Sequence, residues 1–171
     1  MSQRIDDQRM LITASRTWLG TLTAEDVSVL RISDGELLSG RKPSVEIGIH
    51  TGSLRARPEM DVVLHFQTPA ATTLACRPDE VDYFVIPEIP YYIGRIARVP
   101  YIMPGTAELA AAVTAAIADH DMVQLSNHGQ VTVGRDFAHA IQNAAFFELA
   151  CEIILGGGTA MSAADANALL G

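Results

Sequence analysis

The sequence predicts an α/β protein, because segments of strand character and segments of helix character alternate along its 171 residues. Short apolar runs have the length of strands, and longer segments repeat apolar residues at helical spacing. Glycine and proline lie at the boundaries between these segments, where they interrupt regular structure. Alternating strands and helices are typical of the α/β class. The length fits one domain, residues 1–171, with one good hydrophobic core.

The first half of the chain contains predicted strands separated by a predicted helix. The strands are Met10–Thr13, Val27–Ile32 and Asp61–Phe66. The helix begins at Pro43-Ser44 and ends near Arg57, because Pro58 disfavours helical geometry in the residue before it. A further helix opens at Thr68-Pro69, since proline is favoured in the first turn of a helix.

The second half begins with residues 77–104, which are rich in proline and tyrosine and are predicted to be irregular with short strands. A helix is predicted over 105–120, with Leu109, Val113 and Ile117 on one face. Strands at Met122–Leu125 and Val131–Val133 then flank a tight turn at Asn127-His128-Gly129.

A long helix is predicted to begin at Asp136, whose carboxylate can cap its first turn. Its apolar stripe is expected to contain Ile141, Ala145, Leu149 and Ile153. The helix ends at the glycines of 156–158, which are the strongest interruption in the chain. A short alanine-rich helix is expected after Ser162.

The charge balance excludes some classes of partner. The chain carries 20 acidic and 12 basic residues, for a formal charge of −8. Nucleic acids and anionic membranes are recognised by basic surfaces, so neither is an expected partner. The beginning of the sequence has no signal-peptide pattern, and no segment has the length and apolarity of a membrane span. Cys76 and Cys151 lie in apolar neighbourhoods and are expected to be buried thiols in a reducing compartment, so the predicted location is cytoplasmic.

The lysine content disfavours one mechanism. Lys42 is the single lysine, and it lies in a polar turn between Arg41 and Pro43. A Schiff-base enzyme needs a lysine that is desolvated enough to be neutral near pH 7. Carbonyl chemistry in this chain would therefore depend on a metal instead.

Two histidines stand out as candidate ligands. His65 ends an apolar strand, where α/β proteins place binding sites, and His128 lies in the turn between two strands. Glu46 adds a carboxylate on the helix that precedes the His65 strand. Two imidazoles and a carboxylate suit Zn, Mn, Fe or Co. His50, four residues after Glu46 on the same helix face, is expected to have a buried hydrogen-bonding role.

At these residues the chain resembles the class II aldolase/adducin family. The matching blocks, in order, are P-S-V-E-x-x-x-H at 43–50, R-P-E-M-D-V-V-L-H at 57–65, V-P-Y at 99–101 with G-T-A-E-L at 105–109, L-S-N-H-G at 125–129, and the helix that contains Phe147-Glu148. Together they cover roughly residues 9–155. Chance does not readily produce so many blocks in the family's order.

The resemblance implies a three-layer α/β/α fold with a mixed, largely antiparallel central sheet. It also implies a homotetramer with active sites between subunits, acting on a small-molecule substrate. The family binds a divalent metal, most often zinc, through three histidines, and the metal polarises a carbonyl and stabilises an enediolate. Carried over, Glu46 is the acid/base and His65 and His128 are metal ligands. The family's remaining histidine is replaced by Gln67, whose amide oxygen is a weaker ligand.

The resemblance also marks substrate-binding candidates. Ser15 and Arg16 occupy the turn that in the family reads L-I-T-P-[ST]-G, so Arg16 replaces a glycine. Ser44 is retained, whereas Val45 replaces a serine that helps to hold phosphate in other members. Arg16 could bind a carboxylate, or it could be a surface arginine. Tyr91 could supply a phenol near the substrate, or it could pack in an aromatic cluster at an interface.

Two function hypotheses follow. The first is a metal-dependent aldolase-type lyase, or a related isomerase, acting through an enediolate on a small hydroxy-carbonyl compound without phosphate. The expected absence of the family's N-terminal phosphate loop, together with Val45, favours an unphosphorylated substrate. The alternative is a catalytically reduced binding or scaffold protein, which Gln67 favours. A start codon assigned too late would also explain the short N-terminus, and the upstream reading frame would test it.

Overall fold

The computed structural model describes residues 1–170 and is organised around one eight-stranded sheet. The strands are β1 (Ser2–Arg4), β2 (Arg9–Thr13), β3 (Val27–Arg31), β4 (Leu37–Ser39), β5 (Val62–Phe66), β6 (Ile96–Val99), β7 (Met122–Leu125) and β8 (Gly129–Gly134). Their order across the sheet is β4-β3-β2-β1-β5-β8-β7-β6. The β6–β7 pair is parallel and the other pairs are antiparallel, which confirms the predicted mixed, largely antiparallel sheet.

Helices cover both faces of the sheet. They are α1 (Ile47–Ala56), α2 (Pro69–Ala75), α3 (Ala107–Ile117), α4 (Phe137–Leu155) and α5 (Ala163–Leu169). On one face, Ile49 of α1 and Val113 of α3 belong to a core with sheet residues such as Val63. On the other face, Leu74 of α2 and Phe147 of α4 form a second core. The three-layer α/β/α architecture is therefore confirmed.

Strand β5 directs its side chains to both of these cores by simple alternation. Val63 packs in the core under α1 and α3, whereas Leu64 and Phe66 pack under α2 and α4. His65 is two residues after Val63, so it lies on the α1 side of the sheet. His65 is thus the one polar side chain in an otherwise apolar strand, and it lies near the end of that strand.

Some short elements were not predicted from the sequence. Strands β1 and β4 have only three residues each, too few for an alternating pattern to be recognised. The region 77–104 contains β6, as its expected short strands allow, and also one π-helical turn at Ile89–Ile93. Helix α1 begins at Ile47 instead of at Pro43-Ser44, and Glu46 takes the N-cap position.

The predicted apolar stripe of α4 was wrong. Ile141 and Leu149 are 57% and 43% exposed, and Ala145 is exposed as well. The buried residues are instead Ala140, Asn143, Phe147, Ala150 and Cys151. Helix α4 has apolar residues on both sides, so its pattern alone did not select a face. The side with alanine and cysteine around one large aromatic residue lies against the sheet, because small side chains allow close approach of the helix. The burial expected for Cys151 is confirmed, but Cys76 is exposed.

Helix α4 also caps helix α2. Thr68, at the N-cap of α2, makes no side-chain capping bond. The Glu148 carboxylate of α4 instead accepts hydrogen bonds from the backbone N–H groups of Ala70 and Ala71, at 2.8 Å each. A negative charge at a helix N-terminus satisfies otherwise unpaired donors and interacts favourably with the helix dipole. Glu148 therefore fixes the first turn of α2 to the middle of α4.

Between residues 1 and 170, none of the helices has both the length and the apolar character needed to cross a bilayer.

The orientation of α4 can be tested by a matched pair of truncations. Phe147→Ala is expected to lower the free energy of unfolding by about 3–5 kcal/mol, because it removes a fully buried ring. Leu149→Ala, two residues away and half-exposed, should cost no more than about 1 kcal/mol. Urea denaturation of both variants would measure the difference. Equal losses would contradict this orientation of the helix.

Candidate metal centre

Glu46 is held in place at the N-terminus of α1. Its side chain is 7% exposed, and its Oε1 accepts a hydrogen bond from the backbone N–H of Gly105 at 3.1 Å. Its own backbone N–H donates to the Ser44 hydroxyl at 3.2 Å. The N-terminal end of a helix carries unpaired backbone donors and a partial positive charge, which suits a carboxylate at this position. Neither Gly105 nor its contact with Glu46 was predicted from the sequence.

His65 is oriented by the neighbouring strand. Its Nδ1 lies 2.9 Å from the backbone carbonyl oxygen of Gln130 in β8. A carbonyl can only accept, so Nδ1 carries the hydrogen and Nε2 keeps its lone pair. Burial lowers the pKa of His65 to about 4; the hydrogen bond to Gln130 opposes this shift, and the nearby charge of His128 adds to it. The imidazole is therefore neutral at pH 7, as metal binding requires.

His128 reaches the site from the turn between β7 and β8. The residue before it, Asn127, has a φ of +56°, in the left-handed region that asparagine tolerates better than most residues. The residue after it, Gly129, has no room for a side chain, because a Cβ there would lie 2.7 Å from the Phe66 carbonyl oxygen. Asn127 and Gly129 thus suit the backbone of the tight turn that was predicted around His128.

The three predicted groups converge. One ligand atom from each of Glu46, His65 and His128 lies within 4.8 Å of the others. His128 Nε2 is 3.9 Å from Glu46 Oε1, and the two imidazole rings meet edge to face with centroids 4.9 Å apart. Within residues 1–170 this is the one such grouping of histidine, cysteine and carboxylate side chains. It joins α1, the end of β5 and the β7–β8 turn.

These residues fit a divalent cation. Two imidazoles and a carboxylate are a donor set that transition metals accept. The hydrogen bond from His65 to a backbone carbonyl is the kind of outer contact that orients metal-bound histidines. The Nδ1 atom of His128 is buried without a hydrogen-bond partner, so this imidazole has an unused polar atom close to the cluster. The structure therefore contains a candidate metal-binding triad of Glu46, His65 and His128.

Gln67 lies beside this cluster but is an exposed residue. Its side-chain Nε2 donates a hydrogen bond of 2.6 Å to the backbone carbonyl of His128. Its role as a metal ligand stays a prediction.

The turn that contains Ser15 and Arg16 lies against the segment that leads to Glu46. The Ser15 backbone N–H donates to the Lys42 carbonyl at 2.9 Å, and Ser44 N–H donates to Thr13 at 3.3 Å. Arg16 is exposed and has a φ of +62°, a conformation that glycine adopts without strain. The backbone thus explains why a glycine would suit the position that Arg16 fills.

Tyr91 belongs to an aromatic group on the surface. It is 63% exposed and meets Tyr92 edge to face, with ring centroids 4.7 Å apart. Tyr92 stacks in turn on Phe146 of α4. The described contacts of Tyr91 are to this group, and its role in substrate binding stays a prediction.

His50 lies beneath the cluster and has the buried role expected of it. It is 1% exposed, and its Nδ1 shares a hydrogen bond of 2.8 Å with the Ser2 hydroxyl. Burial holds the pKa of His50 well below its usual range, with smaller electrostatic contributions from the Met1 amino group and His65. A neutral imidazole therefore fills this position.

The chain matches the model of the class II aldolase and adducin N-terminal domain over residues 1–155. It belongs to this family. A 3-oxo-tetronate 4-phosphate decarboxylase of Haemophilus influenzae is 34% identical over 148 residues, which span 84% of this chain and 70% of the relative. An L-fuculose phosphate aldolase of Methanococcus maripaludis is 32% identical over 129 residues, or 75% of this chain and 68% of the relative.

Solved structures of the family share the fold. YgbL of Escherichia coli, described as an aldolase, epimerase or decarboxylase, superposes with a TM-score of 0.92. Its sequence is 28% identical, and the match covers 99% of this chain and 86% of YgbL. The family membership expected from the motif blocks is therefore confirmed, as is the fold class.

The buried His50 makes stability depend on pH. Its pKa is lower in the folded protein than the value of about 6.5 in an unfolded chain, so below that pH the unfolded chain binds a proton that the folded one excludes. Stability is therefore complete above about pH 6.5 and falls as the pH decreases, by up to about 1.4 kcal/mol per pH unit for each such proton. His50→Gln should make this decline shallower, while His65 still contributes to it.

Urea unfolding of the metal-free protein, in a chelator at pH 7.5 and 5.5, would compare the native chain with His50→Gln. Thr73→Gln, on an exposed face of α2, provides a control without a titrating group. The same pH dependence in all three proteins would contradict the role assigned to His50.

Proposed function

We propose that this chain is a metal-dependent lyase of the class II aldolase type that breaks a carbon–carbon bond in a small hydroxy-carbonyl compound. The convergence of Glu46, His65 and His128 carries the proposal. His65 and His128 would hold a divalent metal. The donor set that these residues provide favours Zn, with Mn, Fe or Co as alternatives. When bound, such a metal supplies Lewis-acid stabilisation of negative charge on substrate oxygens.

The proton transfer in this reaction is assigned to a side chain of the protein. In a retro-aldol step, a base takes the hydroxyl proton, the carbon–carbon bond breaks, and its electron pair forms an enediolate that is then protonated on carbon. Glu46 is the group that moves this proton, because its carboxylate adjoins the two histidines and is fixed by Gly105 N–H. A related isomerase would use the same enediolate.

The names of the relatives support this common chemistry. One relative is a decarboxylase and another an aldolase. Loss of CO2 from a 3-oxo acid and retro-aldol cleavage both leave an electron pair next to a carbonyl group, so both pass through an enolate-type species. Decarboxylation is therefore the second bond cleavage that this site would serve.

The substrate is proposed to lack a phosphate group. Val45, at the position where other family members have a phosphate-binding serine, is 64% exposed and adjoins Glu46. An apolar side chain supplies no hydrogen bond to a phosphate oxygen. Ser15, Arg16, Ser44 and Tyr91 remain the proposed substrate-binding residues. The assembly is proposed to be a homotetramer in the cytoplasm, as the family resemblance implies.

Turnover of metal-loaded protein would test the proposal with a panel of aldols and 3-oxo acids, each with and without a phosphate ester. Glu46→Gln should reduce turnover by about 10²–10⁴-fold, the usual contribution of a general acid or base. Arg77→Gln, at an exposed position, is a matched control that should retain activity.

Metal analysis separates this function from its alternative. The native chain is expected to bind one divalent ion, and His128→Ala should lose it. Absence of both metal and turnover would contradict the enzyme and favour the catalytically reduced binding or scaffold protein, which Gln67 in place of a histidine also favours.

A further inference from the structure

We infer that Gln67 is a positioning residue that holds the His128 turn by hydrogen bonding, instead of serving as a third metal ligand. This inference rests on the proposed function, because it concerns how the metal is held. It differs from the role that the family pattern assigns to the position. The observation that motivates it is the 2.6 Å hydrogen bond from Gln67 Nε2 to the His128 carbonyl.

The chemistry of that contact determines which end of the amide faces the turn. The His128 carbonyl oxygen can only accept, so the nitrogen of the Gln67 amide must face it. Turning the amide over would place two oxygens 2.6 Å apart, and they would repel each other. The amide oxygen is the only atom of the Gln67 side chain that could bind a metal. It is therefore the end of the amide that does not face the His128 carbonyl.

The packing of the side chain supports the same role. Gln67 Cγ lies close to Gly129, where an added Cβ would be 2.8 Å from it. The side chain thus lies against the backbone of the turn at Gly129 and His128.

The turn needs such a contact. Asn127 has a left-handed backbone conformation, which costs energy in any residue but glycine. On its other side the turn is tied down by the Asn127 N–H, which donates to the Ala75 carbonyl at 3.0 Å. At His128 itself, the backbone N–H donates to the Leu125 carbonyl at 3.2 Å, and the backbone carbonyl accepts from Gln67. Since His128 Nδ1 has no hydrogen-bond partner, the contact from Gln67 adds a restraint that the imidazole ring does not provide.

The candidate metal centre converges without Gln67. One ligand atom from each of Glu46, His65 and His128 lies within 4.8 Å of the others. In the proposed function the two histidines hold the metal and Glu46 moves the proton, so neither role depends on an oxygen from Gln67. The lost family histidine has thus been replaced by a support for one of the two histidines that remain.

Co²⁺ binding by the full chain tests the inference, because the visible spectrum of bound Co²⁺ reports its ligands independently of activity. Two substitutions distinguish the roles. Gln67→Met keeps the length of the side chain but neither donates nor ligates through oxygen. Gln67→Glu replaces the amide with a better oxygen ligand, but its carboxylate cannot donate to the His128 carbonyl.

A positioning role predicts that both variants bind Co²⁺ about 10–100-fold more weakly, the usual effect of losing an outer contact, with the spectrum of the bound ion unchanged. Amide hydrogen exchange in residues 126–129 of the metal-free chain should also become faster in both. Thr73→Glu, on the exposed surface next to Gln67, controls for the general attraction of an added carboxylate. Circular dichroism would verify that all variants fold.

A ligand role predicts the opposite signs. Tighter binding by Gln67→Glu than by Thr73→Glu, or a changed spectrum in Gln67→Met, would overturn the inference and leave the proposed function intact. A native chain that binds no Co²⁺ would overturn both. Binding with the expected spectra but no turnover on any substrate would overturn the proposed function alone.

Discussion

The hydrogen bond between His65 Nδ1 and the Gln130 carbonyl links the sheet to the candidate metal centre. It exists because β5 and β8 pair in a register that sets His65 opposite Val131 and Phe66 opposite Gln130. A slip of one residue would move His65 to the α2 face and replace it with an apolar side chain. Val63 and Phe66, buried in opposite cores, prevent that slip. The packing of the sheet therefore determines the tautomer of a candidate ligand.

Gln130 extends this control beyond His65. Its side-chain oxygen accepts from the Thr68 backbone N–H at 3.4 Å, at the point where the chain leaves β5 and enters α2. One fully buried residue thus contacts both the ligand and the start of the next helix. Gln130 pairs with Phe66 of β5 on one side and with Gln124 of β7 on the other, and a residue held between two strands suits a group that orients another.

The sequence predicted most of the regular fold because its longer elements have strong patterns and distinct ends. It also predicted Glu46, His65 and His128 as a group, because their residue types suit a metal and the motif blocks around them resemble those of the class II aldolase/adducin family. Gly105 and Gln130 were not predicted, since they act through a backbone N–H and a backbone carbonyl that every sequence provides. The role of Gln67 depends on which atom of its amide faces the turn, and residue type does not reveal that.

Helix α4 shows the limit of periodicity most clearly. Its larger aliphatic residues, Ile141 and Leu149, face outward, and its buried side has smaller ones around Phe147. Hydrophobicity summed along a helix gives weight to the larger residues, whereas packing against a sheet also depends on how closely the backbone can approach. Tertiary contacts determine which face of α4 is buried, and the sequence of one helix does not reveal those contacts.

The two hydrogen bonds that Glu148 accepts from Ala70 and Ala71, here called the Glu148 clamp, have a mechanical consequence. Because its two carboxylate oxygens hold consecutive N–H groups of α2, the first turn of α2 cannot shift without carrying the middle of α4 along. Gln67 adjoins that turn in the chain and contacts His128, so the clamp, α2 and the β7–β8 turn form a continuous linkage. The backbone that carries the His128 imidazole is therefore connected to helix α4, on the opposite face of the sheet from Glu46, by three hydrogen bonds and a short stretch of chain.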